Sequence, residues 1–444
     1  MKLSDRRPGN LFRSEGFWLC LLWLLALSAR IAYSCWDQLA SSLINADAIN
    51  YYWAGIEFAR SGRITHAGFP TAQVMPGMPV LVGLAAMLVP EERLRLLCRI
   101  LWILMGSLTP LFYYKSVRLF APRWCAFLTG LVCLMPNLVE IDCFLTNEAP
   151  YYLSFSMALY YTLKLGKRPE RGDSLRYALS VLGALLFRAN ILSFLPFTLL
   201  YLLLCRKSGR EILGLIAVTA AVLALFLVPW SVRNHKVFHE FIPVSYGSGG
   251  PLLEGSYQGP YAIDDEAITD AFGPFPGAQA VRERHPALFR ENGELKEPGL
   301  DQYYRLLLDE EQAKWRLGGW LQLDPMGLLK NTLFKLRYSL NYVWYYAEPL
   351  GITWGMLHRL RQLNFLFCGL SLALAFALKK HRKLLSFLAL AYTVNFVLVS
   401  ATYAGDRYAQ MLMAYRYVAG GLGLDLLWEA RCRLRDRRAG KEQL

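Results

Sequence analysis

One carboxylate stands out in this sequence because apolar and aromatic residues surround it. Asp47 lies about ten residues past the first hydrophobic run, within the segment INADAINYY. A charged side chain held at a membrane is costly and usually marks a functional site. A carboxylate there can act as a general base that takes a proton from a hydroxyl or an amine. Asp47 is therefore the first candidate catalytic residue.

Three more acids lie in the segment 137–150, between two hydrophobic runs. Glu148 begins the hydrophobic run that follows this segment, and it is a catalytic candidate after Asp47. Asp142 competes with Glu148 for the role of second acid. Glu140 is better explained as a solvated loop residue. Asp47 and Glu148 are also candidate ligands for a divalent metal ion. The sequence has no HExxH or CxxC motif, so the metal question stays open.

Arginines at the outer ends of hydrophobic runs are unexpected, because positive charge collects on the cytoplasmic side of a membrane. Arg407 and Arg233 are two such residues, and bidentate recognition of a phosphate would explain them. The alternative is that their side chains reach up to the membrane surface. Arg188 and Arg416 lie at the end of, or inside, other runs. For these two, pairing with a carboxylate is favoured over contact with a phosphate.

Two residues of the first outer loop complete the candidates for substrate binding. His66 follows Asp47 in the same loop, although a solvated histidine is the simpler explanation. Tyr51 could stack on a sugar ring, although tyrosines also collect at membrane interfaces. The full set of substrate-binding candidates is Arg407, Arg233, Asp142, His66 and Tyr51.

The composition identifies the class of protein that must position these residues. Of 444 residues, 55% are hydrophobic and 18% are charged, against roughly a quarter charged in a soluble domain. Long apolar runs predict an all-α integral membrane protein. The net charge of +14 does not indicate nucleic-acid binding, because the basic residues cluster between the runs and at both chain ends.

The loop charges favour about ten transmembrane helices with both chain ends inside. Two ambiguous stretches, Pro76–Pro90 and Leu328–Tyr346, then form interfacial helices on the outer side; if both cross, the count is twelve. The predicted spans lie near 16–36, 97–119, 122–137, 149–166, 174–190, 191–205, 211–231, 363–379, 383–402 and 408–429.

These spans divide the chain into four parts. Residues 1–233 form the catalytic transmembrane module, and 234–325 form one long outer loop rich in glycine and proline. Residues 326–429 hold the second interfacial helix and the last spans. Residues 430–444 are a basic cytoplasmic tail.

Four stretches together resemble a family of bacterial membrane glycosyltransferases of the C-type fold, which use polyprenyl-phosphate sugars. The family includes protein O-mannosyltransferases, the lipid A aminoarabinose transferase and rhizobial core glycosyltransferases. The stretches are Asp47-Ala48 with the following tyrosines, MPGMPVL at 75–81, Pro136 with TNE at 146–148, and PWSVRN at 229–234 followed by FIPVS.

The resemblance implies an inverting transfer on the periplasmic face of a bacterial inner membrane, to a lipid, glycan or protein acceptor. The family's first-loop acid corresponds to Asp47, and its second-loop acid to Glu148 or the nearby Asp142. Some branches depend on a metal. This chain lacks an acid beside Asp47, and it has Gln73-Val74-Met75 where some branches carry a phosphate-binding lysine. Arg407 is then the leading phosphate partner by elimination.

Two other functions fit a polytopic membrane protein. A transporter or flippase of lipid-linked sugars predicts an internal repeat and several charges deep in the spans. A non-catalytic subunit of a glycan assembly complex predicts that Asp47 is dispensable. The sequence shows no internal repeat, which favours the glycosyltransferase.

Overall fold

The computed structural model describes residues 14–36, 46–297, 299–343, 345, 348–405 and 410–441. Within these residues the chain is almost entirely helical, with a single two-stranded hairpin. Its larger apolar core lies among the membrane helices, and a separate small core lies in the outer segment.

Five of the described helices are long and apolar enough to cross a membrane. They are α1 (Glu15–Trp36), α4 (Glu91–Arg118), α10 (Gly209–Phe238), α16 (Trp354–Leu378) and α17 (Arg382–Thr402).

Other helices pack between these five and bury much of their surface within the bundle. Pro136 begins a new helix after a 3₁₀ turn at 132–134, so the span predicted at 122–137 is broken into pieces. These helices are α5 (Arg123–Leu131), α6 (Pro136–Ile141), α7 (Glu148–Lys167), α8 (Asp173–Phe187), α9 (Phe194–Leu204) and α18 (Met413–Lys441).

Each predicted span overlaps a helix of the structure, although several boundaries differ. Helix α10 continues to Phe238, so the outer segment begins at His239 rather than at residue 234. The two ambiguous stretches form α3 (Gly77–Leu88) and α15 (Pro325–Asn341). Neither is among the described helices that are long and apolar enough to span a membrane.

The outer segment folds onto the end of α10 as a small helical layer. It contains α11 (Gly249–Ser256), α12 (Asp265–Phe272), α13 (Ala278–Arg284) and α14 (Asp301–Leu323). Its core includes Ala72, a residue of the first outer loop. The full set of core residues is Ala72, Phe238, Ile242, Val281, Leu288, Leu300, Tyr303 and Leu307. The long outer loop is therefore a packed structure that rests on the first loop.

Glycines set the position of α2 (Ala46–Ser61), the helix that carries Asp47. A Cβ at Gly55 would lie 2.4 Å from the Val82 side chain, and one at Gly83 would lie 2.9 Å from the Gly55 carbonyl oxygen. Helices α2 and α3 can approach this closely only because both residues are glycine. A Cβ at Gly77 would likewise meet the Leu186 carbonyl oxygen at 2.4 Å, which fixes α3 against the end of α8.

Candidate active site

A cavity of about 460 Å³ lies where the first outer loop, the start of α7, the end of α8 and the outer segment meet. Its wall mixes polar and apolar side chains. The lining residues that carry polar or charged groups are Asp47, Tyr51, His66, Gln73, Asn147, Arg188, Asn190, Ser245, Ser248, Thr402 and Tyr403. Three of the predicted site residues, Asp47, His66 and Tyr51, therefore line a single cavity.

Asp47 lies in the first turn of α2 and is partly exposed. The partial positive charge at the start of a helix stabilises a carboxylate at this position. One turn further along α2, the side chain of Tyr51 lines the same cavity. The spacing of these two residues on one helix places both at the same wall.

Arg188 connects the cavity to the start of α7. Its Nε and Nη2 donate to the Asn147 side-chain oxygen at 3.0 and 2.7 Å, and Nη2 also donates to the Glu148 carboxylate. Asn147 donates in turn to the Tyr51 hydroxyl at 3.4 Å. The Glu148 side chain is fully buried, whereas that of Arg188 is 12% exposed. Arg188 therefore brings a positive charge to the cavity wall while it neutralises Glu148 behind it.

His66 reaches the cavity from the hairpin of β1 (Thr65–His66) and β2 (Phe69–Pro70). Ala67 and Gly68 both have positive φ, 50° and 84°, as a two-residue hairpin turn requires. Burial lowers the pKa of His66, and the nearby Asp47 carboxylate opposes this shift. The imidazole is thus held toward its neutral form beside the carboxylate.

Arg233 does not line the cavity; it holds the hairpin in place. Its Nη1 donates to the Thr71 carbonyl at 2.7 Å, and its Nη2 donates to the Ile64 carbonyl at 2.9 Å. Trp230 packs against the guanidinium, with 5.2 Å between Cζ and the ring centroid. The described contacts of Arg233 therefore stabilise the hairpin that carries His66. The predicted contact of Arg233 with a phosphate stays a prediction.

The outer segment contributes Ser245, Gly247, Ser248 and Pro251 to the wall of the cavity. The Tyr246 N–H donates to the Ala72 carbonyl at 2.7 Å, and the Trp230 indole donates to the Val244 carbonyl at 2.6 Å. These bonds hold Ser245 and Ser248 over the cavity.

Asp142 lies outside the cavity and is sealed in the protein. Its carboxylate accepts from Arg30 Nε at 3.0 Å and from Nη2 at 2.5 Å, and the side chains of Arg30 and Asp142 are 1% and 4% exposed. A Cβ at Gly106 would lie 2.6 Å from the Asp142 Cγ. This pair ties α1 to the turn after α6. Of the two competing acids, Glu148 is the one connected to the cavity.

Arg407 lies outside the described residues, so its predicted contact with a phosphate stays a prediction. Arg188 ranked below Arg407 and Arg233 as a candidate phosphate ligand in the sequence. Asn147, Gln73 and Asn190 were not among the candidate site residues. The signal for Asn147 was present, because it belongs to the TNE stretch on which the resemblance rests.

The described residues do not form a metal site of the usual kind. Among the described residues, no group of three or more His, Cys, Asp and Glu side chains comes together. Glu148, one of the two candidate ligands, directs a carboxylate oxygen at Arg188.

Comparison with known proteins was made at the level of sequence and of fold. No family model matches the sequence, and no curated protein matches it. The oligosaccharyltransferase of Archaeoglobus fulgidus, in its apo form, has a similar fold, with a TM-score of 0.56 and 14% identity. The similarity covers 96% of this chain and 52% of that one, so this chain spans about half the length of the oligosaccharyltransferase.

Two structures of ArnT from Cupriavidus metallidurans also show structural similarity to this chain. In the structure bound to undecaprenyl phosphate, ArnT is 17% identical, with a TM-score of 0.41, over 93% of this chain and 78% of that chain. In the apo state it is 16% identical, with a TM-score of 0.38, over 92% and 77%.

The likeness to the oligosaccharyltransferase establishes the fold. The chain is a multi-pass helical membrane protein with a fold similar to that of the oligosaccharyltransferase. The fold class and the fold-level resemblance predicted from the sequence are confirmed.

Proposed function

We propose that this protein is a membrane glycosyltransferase that moves a sugar from a polyprenyl-phosphate donor to an acceptor on the outer face of the membrane. The observation that carries the proposal is one cavity, in a glycosyltransferase fold, that combines a carboxylate at a helix start with an arginine on its wall. The acceptor is a lipid, glycan or protein that offers a hydroxyl or an amine.

The chemical step follows from these two groups. Asp47 takes the proton from the acceptor while the acceptor oxygen or nitrogen attacks the anomeric carbon of the sugar. The bond between the anomeric carbon and the phosphate oxygen breaks, and the phosphate leaves with the bonding electrons. Attack from the face opposite the leaving group inverts the configuration at that carbon.

Arg188 is the described cation that lines the cavity, and it faces the negative charge that develops on the departing phosphate. Its bonds to Asn147 and Glu148 hold the guanidinium in place before the substrate arrives. Arg407 keeps its predicted role as a second phosphate partner. His66, held toward its neutral form, adds no positive charge that would weaken Asp47 as a base.

The alternative hypothesis, a flippase, predicts charged residues deep in several spans. The structure does contain buried arginines in the helices. Arg30 is paired with Asp142, and Arg361 donates to the Ser339 and Leu340 carbonyls at 2.8 Å each. These two arginines are satisfied by the protein, which favours structural roles for them over a path for a polar headgroup. A flippase would also move the donor without cleaving it.

The test is cleavage of the donor by the purified full chain in liposomes. A panel of radiolabelled polyprenyl-phosphate sugars is supplied together with candidate lipid, glycan and protein acceptors, and release of polyprenyl phosphate is measured together with the configuration of the transferred sugar. We expect one donor to be consumed with inversion. A panel in which every donor is translocated intact would contradict the proposal and support the flippase.

A variant that fills the cavity links the activity to this site. Ser245→Trp places a large side chain at the outer wall, where Ser245 is exposed, and it should abolish transfer. Ser61→Trp is the matched control, because Ser61 is also exposed but lies fourteen residues from Asp47 on α2, about 21 Å along the helix. Equal activity in the two variants would place the reaction elsewhere.

A further inference from the structure

Arg416 lies in the first turn of α18 and is 4% exposed. It comes three residues after the start of this helix, which places it about 5 Å along the helix axis. The side chain borders a second cavity, of about 410 Å³, between α15, α16, α17 and α18. The lining is otherwise almost entirely apolar: Leu336, Leu340, Phe365, Leu372, Leu388 and Phe396 are typical.

Two of the three guanidinium nitrogens of Arg416 lack a hydrogen-bond partner among the described residues. Within the described part of the chain, its Nε and Nη1 are buried and have no hydrogen-bond partner, and the same is true of the Tyr392 hydroxyl. The guanidinium lies over the Phe365 ring, with Cζ 4.1 Å from the centroid, and 5.7 Å from the Tyr392 centroid.

A nearby arginine shows what a satisfied guanidinium looks like in this bundle. Arg361, on α16, is 5% exposed and donates to two backbone carbonyls. Arg416 is 4% exposed, and the described contacts of its guanidinium are with the rings of Phe365 and Tyr392. A buried charge without hydrogen bonds is costly, so a ligand that supplies acceptors would be stabilised there.

The cavity opens sideways, toward the lipid. Gly369 on α16 and Thr393 and Val397 on α17 are exposed and line it. A Cβ added to Gly369 would meet nothing within 4 Å. The mouth between α16 and α17 can therefore admit a hydrocarbon chain from the bilayer.

We propose that this second cavity binds the phosphate of a membrane lipid. Arg416 would donate to the phosphate oxygens, whose geometry suits the guanidinium fork, and the Tyr392 hydroxyl would add a further bond. One hydrocarbon chain would lie along the apolar wall. A purely apolar ligand would leave Arg416 and Tyr392 unsatisfied, and a free phosphate ion would leave the apolar wall empty.

This site is distinct from the proposed active site, and it stands whether or not the Asp47 cavity transfers sugar. A smaller cavity of about 240 Å³ lies between the two. It shares Tyr415 with the Arg416 cavity, and Asn190, Val399 and Thr402 with the Asp47 cavity. The lipid phosphate has two sources: a phospholipid of the bilayer, or a polyprenyl phosphate.

Native mass spectrometry of the purified full chain tests the site. Palmitoyl-oleoyl phosphatidic acid, undecaprenyl phosphate and palmitoyl-oleoyl glycerol are titrated separately, so the last probe matches the first but lacks the phosphate. We expect one phosphate lipid to bind at least tenfold more tightly than the diacylglycerol. Tighter binding of phosphatidic acid or of undecaprenyl phosphate identifies the source. Equal binding of the diacylglycerol would overturn the proposal.

Three variants locate the bound lipid. Arg416→Gln removes the charge and should weaken phosphate-lipid binding at least tenfold. Gly369→Leu fills the mouth and leaves Arg416 in place, so it decides the matter if Arg416→Gln does not fold. Gly214→Leu is the control, because Gly214 lies in the spanning helix α10 and also has nothing within 4 Å of an added Cβ. Unchanged binding in Gly369→Leu, or equal loss in Gly214→Leu, would overturn the assignment.

Discussion

Two buried carboxylate–arginine pairs lie six residues apart in the sequence, at Asp142 and Glu148, and they face different surroundings. Asp142 and Arg30 are sealed, with side chains 4% and 1% exposed. Glu148 is just as deeply buried, but its partner Arg188 is 12% exposed and lines the Asp47 cavity. Similar chemistry therefore serves two purposes. The sealed pair holds helices together, and the open pair presents a charge to a site.

The largest effect is expected from breaking the sealed pair. Arg30→Met leaves the Asp142 carboxylate buried without its partner, which should cost about 3–5 kcal/mol of stability. Denaturation of the purified protein in detergent measures the loss. Arg30→Met with Asp142→Asn removes both charges and should recover most of it. A double variant no more stable than the single one would show that the pair is not the source of the effect.

A smaller effect, on turnover rather than on stability, is expected at the open pair. Arg188→Lys keeps the charge but loses the fork that joins Asn147 and Glu148. Turnover should fall roughly 10- to 100-fold, which corresponds to about 1.5–3 kcal/mol for a hydrogen bond to a charged group.

Arg176→Lys is the matched control for that change. Arg176 lies on α8, the helix that ends just before Arg188, and it pairs with Asp173, but its side chain is 51% exposed. Turnover in this control should stay at the wild-type level. If both variants lose activity equally, the loss reflects α8 as a whole and not the cavity.

The close packing around Asp142 gives a third, smaller effect. Gly106→Ala places a Cβ 2.6 Å from the Asp142 Cγ, and such overpacking should cost about 1–3 kcal/mol. Gly214→Ala, where nothing lies within 4 Å, should cause no loss, because alanine favours a helix over glycine. Thermal denaturation of the two variants compares them, and equal melting temperatures would contradict the packing described around Asp142.

The smallest effect concerns how His66, at the wall of the Asp47 cavity, makes the stability of the protein depend on pH. The lowered pKa of His66 means that the folded state resists protonation of this histidine, while the unfolded state accepts a proton below about pH 6.5. Its contribution to stability is therefore complete above that pH and declines as the pH falls toward the lowered folded-state pKa.

Removing the histidine isolates this contribution from those of the other titrating groups. The difference in unfolding free energy between wild type and His66→Asn should shrink as the pH drops from 7 to 5. A difference independent of pH would show that His66 is not buried in the way described.

The sequence predicts well what depends on local pattern. Hydropathy located the helices, and the isolation of Asp47 among apolar neighbours led to a residue that lines a cavity together with Tyr51 and His66. These three lie within one outer loop, so their proximity follows from a short stretch of chain.

The sequence predicts poorly what depends on contacts between distant parts of the chain. The contact of Arg233 with a phosphate stays a prediction, but its bonds to backbone carbonyls 162 and 169 residues away could not be foreseen. Asp142 was a competitor of Glu148 for the role of second acid, and its partner Arg30 lies 112 residues earlier, in α1. No local pattern carries this information, because it arises only when the helices pack.

The central claim is that Asp47 acts as the catalytic base of the open cavity, while Asp142 serves the fold. The direct measurement is sugar transfer per folded molecule in Asp47→Asn and Asp142→Asn, assayed side by side with a melting curve for each. We expect Asp47→Asn to melt like wild type and to lose at least about a hundredfold in turnover, as loss of a general base implies. Asp142→Asn should melt earlier, with turnover of the folded fraction within a few-fold of wild type. Transfer by Asp47→Asn at nearly the wild-type rate would contradict the account.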